Sequence, residues 1–207
     1  MEAMRSAVIL AGGSGSRLGT EKSLLLFSDR PLIQLIVKKL LSVVDEIVVV
    51  VRNEGQAEDL RRLAPEALFT CDRIFGYGPV AGLAAGMSCA GGEYAFACGC
   101  DLPFLNLDVI ERLFELAEGY DAAVPIRQNG LREPLHAVYR RDKMRTACEN
   151  AIHRGERRIS SPLGDLRARW VPMELLCSFD PQLLTFFNVN TREDLAFALE
   201  TWQKAKG

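Results

Sequence analysis

The sequence predicts an α/β fold, a single three-layer domain built on a mostly parallel central sheet. Three observations carry this. Apolar runs of strand length alternate with stretches of about ten to fifteen residues whose apolar side chains recur at helical spacing. The strand-like runs are continuous rather than alternating, which suits strands covered on both faces. With 207 residues, 48% of them hydrophobic and 25% charged, the chain has the composition of one generous domain and not of a disordered or fibrous protein.

The first strand is Ala7-Val8-Ile9-Leu10-Ala11. A helix follows over residues 31–41, with Leu32, Leu35, Ile36 and Leu40 on one face and Pro31 at its start. Glu46 to Val51 is a β-branched strand, residues 56–64 a helix stopped by Pro65, and residues 67–71 a third strand. Gly78-Pro79 opens a helix of small residues, and Tyr94 to Cys98 is a buried strand running into Asp101. Beyond it, residues 107–117 form a helix, 122–125 and 135–139 short strands, and 142–153 a helix with a polar face. The last helix starts at Thr191, where Thr-Arg-Glu-Asp resembles a capping box closed by Asp194. No repeat or linker interrupts this order.

Charge and cysteines narrow the function classes. The net charge of −2, with no cluster of Lys and Arg, argues against broad nucleic-acid binding. Only five strongly apolar residues precede the first glycines, too few for a signal peptide core or a membrane span, so a cytoplasmic protein is expected. Six scattered cysteines without a C-x-x-C pair read as packed thiols in a reducing compartment.

The chemistry-bearing residues fall at strand ends, where ligands bind in such sheets. After the first strand come four glycines in eight residues (Gly12, Gly13, Gly15, Gly19), with Arg17 and Lys22 beside them. Successive backbone N–H groups of such a loop can face one anion while the cations neutralise it, as a phosphate cradle requires. The spacing is not that of a Walker loop, because Lys22 is not part of a Gly-Lys-Ser/Thr triplet. Nor is it a G-x-G-x-x-G fingerprint, since Leu18 takes the place of the third glycine. Arg52-Asn53 follows the second strand, Asp72 the third and Asp101 the fourth, giving four polar positions that can converge on one crevice. Asp101, followed by Leu102-Pro103, is a carboxylate on a restrained backbone and suits Mg²⁺ bridging to phosphates.

These segments carry a resemblance. Residues 10–19 with Lys22, Gly78-Pro79-Val80-Ala81-Gly82, Cys98-Gly99-Cys100-Asp101-Leu102-Pro103, Gly155-Glu156-Arg157-Arg158 and Phe187-Asn188-Val189-Asn190-Thr191 are similar, in order and from Ser6 to about Leu199, to the molybdenum cofactor guanylyltransferases. That family is also called molybdenum cofactor biosynthesis protein A. The resemblance implies a Rossmann-like nucleotidyltransferase fold and transfer of GMP from GTP to molybdenum-bearing molybdopterin, with release of pyrophosphate. It further implies one nucleotidyltransferase domain over residues 1–207, its nucleotide half about 1–105 and its acceptor half about 106–207. On this reading Leu10, Ala11, Gly12 and Gly13 meet the nucleotide through the backbone, Lys22 its phosphates, and Asn53 and Asp72 complete the nucleotide site. Asp101 holds nucleotide and Mg²⁺ together, and Arg17, Lys22 and Asp101 are the catalytic set. Asn188 and Asn190 lie toward the acceptor, with Arg157 or Arg158 near its phosphate. The implied partners are GTP, molybdenum-molybdopterin and the proteins that deliver molybdopterin or mature molybdoenzymes. Nucleic acid and membranes are not among them, and a monomer is expected.

An in-line attack of a molybdopterin phosphate oxygen on the α-phosphorus needs positioning and charge neutralisation more than an acid or a base. His136, in a strand, and His153, on a polar helix face, are accordingly read as structural. Relative to the family pattern, Leu18 replaces a common Met and Glu21 a common Asp; both swaps keep the chemistry. The alternatives are a molybdopterin cytidylyltransferase, a sugar-phosphate nucleotidyltransferase and a nucleotide-binding regulatory protein. Gly13 favours GTP over CTP, because the cytidylyl relatives tend to read Leu-Ala-Ala-Gly there. Arg17, Lys22 and Asp101 together argue for catalysis over binding alone.

Overall fold

This computed structural model describes residues 4–12, 22–72, 74 and 77–206. In chain order it has β1 (Arg5–Leu10), a short 3-10 turn (Lys22–Leu24), the small hairpin of β2 (Leu26–Phe27) and β3 (Arg30–Pro31), α1 (Leu32–Leu40), β4 (Glu46–Val51) and α2 (Glu54–Arg61). There follow β5 (Leu68–Cys71), α3 (Pro79–Cys89), β6 (Tyr94–Gly99), α4 (Leu107–Ala117), β7 (Ala122–Ile126), β8 (His136–Arg140), α5 (Arg141–His153), β9 (Ala168–Pro172) and α6 (Arg192–Lys206). Each run read as a strand or helix in the sequence is one.

The main sheet has seven strands in the order β5-β4-β1-β6-β8-β7-β9. All neighbours pair parallel except β8, which is antiparallel to both β6 and β7. The expected mostly parallel sheet is therefore present, with one reversed strand. Three strands escape the sequence reading for a physical reason. β9 is an edge strand whose Arg169 and Trp170 are exposed, so it shows no apolar run, and the β2–β3 hairpin is only two residues deep.

The continuous apolar runs bury alternate residues on opposite faces. Ala7 and Ile9 of β1, Val49 and Val51 of β4 and Phe96 of β6 face a core shared with α1, α2 and α4. Val8, Val48, Val50, Ala95 and Ala97 face the other side, against α3 and α5. This is the three-layer arrangement, and each fully buried Val, Leu, Ile or Phe contributes roughly 1.5–3 kcal/mol to it. Helix α3 comes unusually close to the sheet. A Cβ on Gly86 would overlap Val8 Cγ1 and lie 2.9 Å from Val50 Cγ2, so only glycine fits there. A smaller core of Phe27, Leu32, Val189 and Ala198 joins α1 to α6 and fastens the C-terminal segment beside the carboxyl ends of the strands.

Caps fix where the helices begin. Asn106 accepts from the Val109 amide to start α4, which leaves Asp101 out of capping. At α6, Thr191 Oγ1 accepts from the Asp194 amide while Asp194 Oδ2 accepts from the amides of Asn190 and Thr191, the capping box expected from the sequence. Those two amides, with the Thr191 hydroxyl, hold the Asp194 carboxyl below its usual range. All six cysteines are free thiols; Cys98, Cys100 and Cys148 are buried, and Cys89 is exposed.

Candidate active site

At the carboxyl ends of β1, β4, β5 and β6 the sheet opens into a cleft of about 830 Å³. Leu10, Val50, Val51, Pro79 and Gly82 make its apolar floor, and Lys22, Arg52, Asp72, Asp101 and Asn188 bring the polar groups. An apolar floor with a few convergent charges is the make-up of a small-molecule site. Gly78 takes φ +54° at the start of α3, a left-handed turn that suits glycine and lets the chain pass the cleft wall.

The polar end is organised around Lys22. Its Nζ donates to Asp101 Oδ2 at 2.7 Å and to Asn190 Oδ1 at 2.5 Å, joining residues 79 and 168 positions away in sequence. The Lys22 and Asp101 side chains are 21% and 15% exposed, so the pair is reachable from the cleft yet shielded from bulk water. The backbone secures the same arrangement, because the Val189 amide donates to the Asp101 carbonyl at 2.9 Å. That bond brings Asn188 and Asn190, the neighbours of Val189 in the chain, close to Asp101. Asn188 lines the cleft and donates from Nδ2 to the Phe186 carbonyl. Glycine leaves the carboxylate its room: a Cβ on Gly99 would stand 2.6 Å from Asp101 Oδ1 and force it to shift.

The other expected residues are placed as follows. Leu10 and Gly12 line the cleft, and Ala11 is buried at the end of β1. Asp72 also lines it, its Oδ1 accepting from the Ile74 amide. Arg157 is exposed, its guanidinium 5.6 Å from the ring of Tyr77, the residue before Gly78. Gly13 and Arg17 lie outside the described residues. Asn53 differs from its expected place: its side-chain oxygen accepts from the Gln56 amide and caps α2, while the neighbouring Arg52 forms the cleft wall. Asparagine suits both tasks, and only the turn geometry at the end of β4 distinguishes them. Gln56 was not singled out by sequence, although Asn-x-x-Gln after a strand has the spacing of a capping box.

Two side chains that might have served as base or nucleophile, His136 and Cys100, are disabled by burial. His136 packs between Phe96 and Phe186 with Nε2 3.2 Å from Thr185 Oγ1, and burial pushes its pKa down to about 3. Burial, helped by the Asp101 carboxylate, pushes the Cys100 thiol up to about 12. His153 is exposed at the end of α5. What remains in the cleft is suited to holding anions and orienting them. Among the described residues no three His, Cys, Asp or Glu side chains gather as a metal cage. The restrained Asp101 carboxylate, in a cleft that Asp72 also lines, fits Mg²⁺, which takes one or two carboxylates and completes its shell with waters and other oxygen ligands.

Comparison with known proteins agrees with this geometry. A protein of Methanosarcina mazei named probable molybdenum cofactor guanylyltransferase is 38% identical over 198 residues, covering 92% of this chain and 88% of its own. One of Natronomonas pharaonis with the same name is 37% identical over 200 residues, covering 95% and 97%. The crystal structure of the molybdopterin-guanine dinucleotide biosynthesis protein A from Archaeoglobus fulgidus superposes with a TM-score of 0.84 at 35% identity, over 97% of this chain and 100% of that one. The family model described as MobA-like NTP transferase domain matches residues 7–168. With its fold, its cleft and most of its length accounted for, the chain belongs to the MobA-like NTP transferase family.

Proposed function

We propose that this protein transfers GMP from GTP to molybdenum-bearing molybdopterin, releasing pyrophosphate and forming the guanine dinucleotide cofactor. The observation that carries this reading is the Lys22 ammonium shared by Asp101 and Asn190 at the mouth of an apolar cleft. It brings the residue types needed for phosphate, metal and acceptor to one point, in a chain similar over most of its length to proteins named for that reaction.

On this reading the nucleoside lies over Leu10, Val50 and Pro79, with the backbone of residues 10–13 and Asp72 holding it and its phosphates turned toward Lys22. Arg17 joins Lys22 in offsetting the charge of the departing pyrophosphate. Asp101 would hold Mg²⁺, which supplies charge neutralisation at the phosphates when bound. Asn188, Asn190 and Arg157 face the acceptor and bring its phosphate oxygen in line with the α-phosphorus. No side chain needs to accept a proton, which matches the buried, neutral His136. The nucleotide half is then about residues 1–105 and the acceptor half about 106–207. No helix among the described residues is long and apolar enough to cross a membrane, and we place the enzyme in the cytoplasm as a monomer. A nucleotide panel with Mg²⁺ tests the assignment: pyrophosphate should appear from GTP only when molybdopterin is supplied. Equal turnover of CTP, or turnover with a sugar 1-phosphate as acceptor, would overturn it.

A further inference from the structure

Strands β1 and β4 run side by side in regular register as far as Leu10 and Val50, and the Ala11 amide still donates to the Val50 carbonyl at 2.8 Å. In a parallel ladder the next rung would run from the Arg52 amide to the Ala11 carbonyl. That rung is replaced. Gln56, only 5% exposed, reaches back from the first turn of α2; its Oε1 accepts from the Arg52 amide at 2.9 Å and its Nε2 donates to the Ala11 carbonyl at 3.0 Å. One side-chain amide thus stands between the two strands as a surrogate peptide group, satisfying both strand ends while keeping them apart. Asn53 holds the wedge in place by capping the helix on the Gln56 amide at 3.0 Å.

We propose that Gln56 is a positioning residue that parts β1 from β4 and so sets the place of Gly12, where the chain enters the glycine loop. Space at that point is tight. A Cβ on Gly12 would lie 3.2 Å from Arg52 Cγ, so drawing the strands together by one rung would press the Gly12 backbone onto the Arg52 side chain and narrow the cleft they both line. Asn53 acts through Gln56, one step removed from the cleft. The consequence for GTP rests on the function proposed above, whereas the wedge itself does not.

Two measurements separate these. Crystal structures of wild type and Gln56→Ala without nucleotide should show the Arg52 amide closing on the Ala11 carbonyl, to about 2.9 Å, in the variant; a pair still held apart would overturn the wedge. In steady-state kinetics, Gln56→Ala and Gln56→Leu should raise KM for GTP about tenfold, the scale of one buried hydrogen bond, with kcat changed by less than about threefold. Asn53→Asp and Asn53→Ser, which keep the cap, should behave as wild type, and Asn53→Ala should follow Gln56→Ala. A lowered melting temperature with unchanged KM in the Gln56 variants would leave Gln56 merely structural and refute the positioning role. Loss of activity in Asn53→Ser as large as in Asn53→Ala would refute the capping route.

Discussion

Replacing Gly99 by alanine tests whether the Asp101 carboxylate must stand where it does. Gly99 ends β6, two residues before Asp101, and its missing side chain leaves the space that Asp101 Oδ1 fills. The added Cβ would be 2.6 Å from that oxygen, whereas ordinary contact begins at 3.4 Å, so the carboxylate must retreat by roughly 0.8 Å. It cannot retreat freely. Its other oxygen is bound by Lys22 at 2.7 Å, and the Asp101 backbone is tied to Val189 at 2.9 Å, so the movement is a side-chain rotation that pulls on Lys22 and through it on Asn190. A misplacement approaching 1 Å in an aligned phosphoryl-transfer site costs on the order of a hundredfold in rate. Pyrophosphate release measured over a Mg²⁺ titration should therefore show kcat down about thirty- to a hundredfold and half-saturation shifted to higher Mg²⁺. The melting temperature should stay within about 4 °C of wild type, since Gly99 lies at a strand end and no core side chain stands within contact of its added Cβ. Wild-type kcat and Mg²⁺ dependence in Gly99→Ala would refute the argument that this glycine exists to seat the carboxylate.

Three further outcomes follow from the same structure. Asp101→Asn keeps the shape but loses the charge that holds Lys22, and it should abolish turnover while leaving the circular dichroism spectrum unchanged; retained activity would remove Asp101 from the metal site. Gly86→Ala should lower the melting temperature by about 4–8 °C, because overpacking against Val8 and Val50 costs about 2 kcal/mol, whereas Gly82→Ala, whose Cβ would meet Leu10 at an ordinary 3.5 Å, should gain up to about 1 kcal/mol; equal behaviour of the two would contradict the packing account. His136 is neutral in the fold but takes up a proton when unfolded below its ordinary pKa of 6.5, so its contribution is complete above that pH and falls away as the pH drops toward about 3. Between pH 7 and 4.5 this amounts to about 2.5 kcal/mol, read as a loss in denaturant midpoint that His136→Gln should lack; the same loss in both proteins would show that His136 does not carry it.

Most of the fold was legible because the central residues of β1, β4 and β6 are buried on both faces and therefore form unbroken apolar runs, while caps and Pro or Gly stops mark the helix ends. The reversal of β8 was legible in principle. Only nine residues separate Ile126 from His136, too few for the crossover that a parallel neighbour needs. Strand β9 was not, because its exposed Arg169 and Trp170 follow the demands of an edge and leave no pattern. In the site, Lys22, Asp101 and Asn190 each sit in a distinctive motif, and the structure brings the three together. Asn53 and Gln56 were harder to read. A polar residue after a strand serves equally as ligand or cap, and a glutamine in a helical window reads as solvated until the neighbouring strand ends are seen to bond it.

Guanylyl transfer at the Lys22–Asp101–Asn190 site can be followed with GTP radiolabelled at the α-phosphorus. With Mg²⁺ and molybdenum-bearing molybdopterin, the label should move into the acceptor in step with pyrophosphate release, and Lys22→Gln should suppress both together. Label that appears as free GMP, or that enters the acceptor as readily from CTP, would contradict the account.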